Sequence, residues 1–206
     1  GKPYVVSELN EPFPNDYASE FIPITAAYAL LQDWDGLFWF DYGGGPSKAA
    51  WADQKVGSFF SMTNDPVKMA ETAVGALVFL RGDIRAAKRL VERHLTRERV
   101  VEALRKDLPN DTYPYALPYL PGRLTLVHGT AIADFDAERL RPEPGELVLP
   151  EREIISDTGE LTWRVGNEGG RVLIDTATYT ACVGHAGRFE TRHLVFDLET
   201  PFAAVQ

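Results

Sequence analysis

The chain has 206 residues, of which 45% are apolar, 25% charged and 11% aromatic; that is enough for one or two domains with a sizeable core and argues against disorder along its length. A net charge of -9 repels phosphate backbones and sets nucleic acid aside as a partner, while serving solubility. A lone cysteine, Cys182 in the apolar run TYTACVG, rules out an intrachain disulfide, and no segment reaches the ~18 to 20 continuous apolar residues of a membrane span.

Residues 3–8, PYVVSE, predict a short buried parallel strand. A strand at residue 3 with no lead-in fits a chain that begins in the middle of a larger fold. After the loop LNEPFPND, with Asp16 as the expected cap, the spacing of Phe21, Ile24, Ala27, Tyr28 and Leu31 predicts a helix from Tyr17 to Gln32. Pro23 belongs in its early turns or marks a kink. A second strand, GLFWFDY, opens at Gly36 and completes a βαβ unit. Gly43, Gly44, Gly45 and Pro46 break the chain, without the Lys-Ser/Thr that a phosphate loop needs in frame. GSFFSM reads as a possible short strand. A helix follows, with Asn64 or Asp65 as cap, Pro66 at its first position and Gly82 at its end.

Residues 83–107 are strongly charged, and RLVERHLTRERVVEALRK reads as a solvated helix face, with Arg97 to Lys106 as a short helix. Residues 108–121 carry four prolines and read as an extended connection. From about residue 146, LVLPEREII, GELTWRV, RVLIDTATYTACVG, FETRHLVFDL and PFAAVQ alternate as short strands between turns, as in part of an antiparallel sandwich.

The chemistry concentrates between Lys2 and Tyr42. Glu8 ends the first strand, and Trp39, Asp41 and Tyr42 end the second. Aromatic rings at such a position stack on the apolar C–H faces of sugars. VVSELNEPFPNDYASEF, AAYALLQDWDGLFWFDY and NDPVKMAETAVGALVFLRGD resemble the last two βα units of clan-A-type (β/α)8-barrel glycoside hydrolases. SDTGELTWRV and VLIDTATYTACVG resemble the β-sandwich that follows the barrel in large members of that group. The resemblance implies a fold class of α/β plus β. A partial barrel segment covers residues 1–85, a connector 86–121 and a β-sandwich-like domain 122–206.

It also implies that Glu8 is the nucleophile of a retaining β-glycosidase and that Trp39 is the aromatic near the end of the eighth strand. The acid/base glutamate of that family ends the fourth strand and has no counterpart in this chain. Retaining chemistry needs two carboxyl groups ~5 to 5.5 Å apart. Glu11 lies on the following loop and Glu20 on the helix, so neither is placed as the partner. Asn10 is expected either to orient Glu8 or bind a sugar hydroxyl, or to bond its own backbone in a turn. Trp39 is a sugar platform or a packing residue, Trp34 a packing residue, and Asp41 and Tyr42 are candidate rim contacts.

The expected partner is a carbohydrate, with no cofactor, no metal and no membrane. Two parallel strands cannot close a barrel, so oligomerisation, the chain's own β-domain or docking to the missing barrel part must cover the open edge. His94, His128, His185 and His193 show no zinc spacing. The alternatives are a non-catalytic carbohydrate-binding or scaffolding module, and an esterase that recruits Ser7 or Ser61 with a distant histidine. Localisation is left open.

Overall fold

The structure, a computed structural model, describes residues 3–43, 54–94, 97–98, 101, 122–134, 149–166, 169–185, 187–197 and 202–205. Strand β1 (Val5–Leu9) pairs in parallel with β2 (Gly36–Trp39), and helix α1 (Ala18–Leu31) crosses between them. Helix α2 spans Pro66–Arg81. Its N-terminus obeys the local chemistry. The Asp65 carboxylate accepts the amides of Val67 and Lys68 at 3.1 Å, Pro66 needs no partner, and Gly82 closes the helix at φ 66°.

Helix α1 departs from expectation in two ways. Its N-cap is Tyr17 and not Asp16; Asn15 accepts the Tyr17 amide at 2.8 Å instead. Burial also wraps around the helix and is not confined to one stripe. Ile22, Pro23, Ala26, Ala27, Ala29 and Leu31 are buried. The cause is that α1 has three neighbours. Phe21 meets Trp39 of β2 at 5.3 Å, Ile22 lies against Gly75 of α2, and Tyr28 meets Trp163 at 6.2 Å. A helix covered on several sides needs apolar residues all round.

GSFFSM forms turns and not a strand, because its backbone bonds go to other loops: Phe59 O accepts from Phe13, and Phe60 O from Asp41. Leu90–His94, expected on a solvated helix face, is strand β3 and pairs in parallel with β4 (Gly129–Asp134). Val91, buried among Leu124 and Leu149, decides this. Strand β3 falls inside the segment read as a connector. The rest of the Arg97–Lys106 helix and the proline-rich stretch lie mostly outside the described residues.

Strands β5 (Glu153–Ile155), β6 (Leu161–Gly166), β7 (Gly169–Asp175), β8 (Thr180–His185) and β11 (Phe202–Val205) form a five-stranded antiparallel sheet, ordered β11-β8-β7-β6-β5. Its two faces follow the two-residue period of a strand. Val172, Ile174, Ala181 and Val183 point to α1 and α2 and share one core with Ala27, Leu31, Val78 and Ile84. Leu173 and Cys182 point the other way, onto Phe189 and Phe196 of the hairpin β9 (Arg188–Glu190) and β10 (Val195–Asp197). Residues 1–85 and 122–206 thus contribute to a single core. The chain is mixed α/β plus β, with helices on one face of the sheet.

Polar ties reinforce this joint. Gln32, just past α1, donates to Thr125 O and His128 O at 2.7 Å and accepts the Thr130 amide at 2.9 Å. The Asp157 carboxylate accepts the amides of Lys88 and Arg89 and, at 2.7 Å, His128 Nδ1. Against the upward push of burial, the bonds from His128 and the two amides hold that carboxyl below its ordinary value.

Two predictions come from this packing. Gly184, next to the last residue of β8, has φ 114°, and a Cβ there would overlap the Gly170 carbonyl oxygen. Gly184→Ala is expected to lower stability by more than about 1 kcal/mol in urea unfolding. Glu71 of α2 is buried, and its Oε2 has no partner among the described residues. Burial, aided by nearby Asp65, pushes its carboxyl up from 4.5 to about 8. A raised carboxyl favours folding while neutral, so stability is highest below pH 4.5 for this group and falls as pH rises through about 8. Urea midpoints from pH 5 to 9 should therefore drop less in Glu71→Gln than in the unsubstituted chain.

Candidate active site

The site lies at the C-terminal ends of β1 and β2, and a bulge creates it. Val6 pairs with Leu37 and Leu9 with Trp39, so three steps on β1 face two on β2. Ser7 and Glu8 together oppose Phe38. Val6, Leu9, Leu37 and Trp39 stay on the half-buried face, where the Trp39 indole meets Phe21 of α1. Val5, Ser7, Glu8 and Phe38 emerge on the other face, exposed. Without the bulge, strict alternation would turn Glu8 towards the helix. Glu8 makes no hydrogen bond or ion pair among the described residues.

Asn10 fixes the loops around that end. Its amide donates to Phe40 O and Phe60 O, both at 2.6 Å. Its Oδ1 accepts the Glu11 amide at 2.8 Å and Lys68 Nζ at 3.1 Å. All four positions of the side chain are occupied, which leaves none for a sugar hydroxyl. Asn10 therefore ties the loops after β1 and β2 to the turn before α2.

Lys68 is the residue that sequence reasoning missed. It is 1% exposed, and its ammonium donates to Asn10 Oδ1 and the Glu11 carbonyl. A side chain in the first turn points back past the helix N-terminus, which aims Lys68 at the loop. The signal was present: a cation in the first turn opposes the helix dipole and needs another reason to be there. Glu11 accepts from Asn15 Nδ2 at 2.7 Å. Burial raises its carboxyl above the ordinary value, and the Lys68 charge opposes the rise.

The remaining candidates fall around this frame. The Phe40–Asp41 and Phe13–Pro14 peptide bonds are cis. Asp41 exchanges backbone bonds with Phe60 and Met62, and its Oδ1 is buried without a partner among the described residues. Tyr42 is exposed, and its carbonyl accepts from the Thr63 amide at 2.9 Å. Trp34 packs on Tyr4 at 5.3 Å. Glu8, Asn10, Asp41 and Tyr42 come together at one end, and Trp39 lies on the opposite face of the sheet from Glu8.

Ser61 is buried, with its Oγ 3.1 Å from Thr63 Oγ1. His128 sits beyond the far end of α1, whose 14 residues span roughly 21 Å at ~1.5 Å each. No Ser-His-Asp arrangement forms from Ser7 or Ser61 with the His128–Asp157 pair. Among the described residues no group of three or more His, Cys, Asp or Glu is placed to hold a metal, and no helix is long and apolar enough to cross a membrane. No protein-family model, no curated protein and no solved structure matches this chain.

The frame is testable apart from any activity. Asn10→Ala leaves Phe40 O, Phe60 O and the Lys68 ammonium short of partners. It should cost at least about 2 kcal/mol in urea unfolding.

Proposed function

We propose that Glu8 is the nucleophile of a retaining β-glycoside hydrolase. The observation that carries this reading is a carboxylate without a partner among the described residues, at the C-terminal end of a bulged parallel strand and on the sheet face opposite the helix. In a (β/α)8 barrel that strand end opens into the active site. On this reading β1, α1, β2 and α2 are two βα units of such a barrel, and the antiparallel sheet is part of a sandwich that follows it.

Ionised Glu8 attacks the anomeric carbon as a second carboxyl group protonates the leaving oxygen. Water then releases the sugar from the glycosyl-enzyme, with the second group now acting as base. That second group comes to the open face from a neighbouring part of the barrel. Lys68 and Asn10 hold the strand-end loops still while this happens, so that Glu8 keeps its line of attack.

A second reading, a carbohydrate-binding module without catalysis, is favoured by exposed aromatic rings on β2 and in the loops tied to its end: Phe38, Phe40, Tyr42 and Phe59. Aryl β-glycosides separate the two. Turnover with the β-anomer released first, falling to background in Glu8→Gln, supports the hydrolase. Saccharide binding that is equal in both proteins, with no turnover in either, supports the binding module.

A further inference from the structure

Resting on the reading of this end of the sheet as a saccharide site, we infer that Phe59 is its sugar-stacking platform, in place of Trp39.

Trp39 is turned to α1 and occupied by Phe21. Phe59 is 59% exposed, and one neighbouring ring braces it. Phe60 meets it edge-on, with centroids at 4.9 Å and planes at 79°. Phe40 meets Phe60 in turn at 5.9 Å and 66°. These contacts brace one side of the Phe59 ring and leave the other to solvent. The backbone beneath is pinned as well. Phe59 O accepts the Phe13 amide at 2.7 Å, and Phe60 O accepts Asn10 Nδ2 at 2.6 Å and the Asp41 amide at 3.2 Å. Through Asn10 the same network reaches buried Lys68 and the loop that directly follows Glu8.

An exposed aromatic ring braced on one side above a pinned backbone has less rotamer freedom to lose when a ligand covers it. The charge around it selects the ligand. The carboxylates of Glu8, near the end of β1, and of Glu11 and Asp41, in the loops after β1 and β2, disfavour anionic ligands, and the Lys68 cation is buried and engaged. A neutral ligand with an apolar face and hydroxyl edges suits both features, and a pyranose ring with an uninterrupted C–H face has them.

The test is calorimetric titration of the full chain with β-1,3- and β-1,4-linked gluco- and galacto-trisaccharides. Phe59→Ala, Phe59→Trp and Glu8→Gln are titrated in parallel, with sedimentation of each protein. Phe59→Ala should weaken binding by about tenfold or more, Phe59→Trp should retain it, and neither should shift the urea midpoint. Binding unchanged in Phe59→Ala overturns the platform and leaves the saccharide site standing. No binding of any trisaccharide by the unsubstituted chain overturns the saccharide site and the platform together. A concentration-dependent dimer that Phe59→Ala abolishes also overturns the platform, and makes this ring a contact between copies.

Discussion

A buried ammonium must be answered by oxygen, and at Lys68 that requirement organises one end of the molecule. The cation draws in Asn10 Oδ1 and the Glu11 carbonyl, and Asn10 then commits its two amide hydrogens to Phe40 and Phe60. Three stretches far apart in the sequence become a single rigid rim. Removing water from a charge is expensive unless the geometry around it is fixed. The rim's order follows from that cost.

The rim surrounds a sheet that is complete on one side only. Parallel strands ordinarily have both faces covered. Here α1 covers one, while Val5, Phe38 and Glu8 lie open on the other. An apolar surface with one carboxylate at its end is unusual for a finished core and natural for a site. On the proposed reading as a retaining hydrolase, it would supply half of a carboxyl pair. The turn at Phe59 and Phe60 adds exposed aromatic surface at the same end.

Much of this was legible from residues alone. Asp65, Pro66 and Gly82 mark α2 because each answers a backbone need at a helix end, and such needs are local. The limits of α1 were legible to within a residue from its apolar spacing, although its cap was not. The strand at Leu90–His94 was not, because its charged flanks resemble a solvated helix and only tertiary burial of Val91 settles it. The three-sided burial of α1 was hidden for the same reason. At the site, Glu8 stood out by its place at a strand end. The bulge that turns it outward depends on the register with β2, and the role of Asn10 depends on partners up to 58 residues away. The Trp39 indole and the Phe59 ring look alike as aromatic letters, and only the direction of each ring separates them.

The shared core also changes what chain continuity means for this protein. Val172, Ile174, Ala181 and Val183 close over Ala27, Leu31 and Val78, so each segment supplies the cover that the other lacks. The peptide bonds between them are therefore not what keeps them together. Cleaved between residues 94 and 122, the molecule would remain a non-covalent pair, held by the contacts that held it when whole. In effect the two segments behave as subunits that happen to share a backbone, each covering the apolar face of the other.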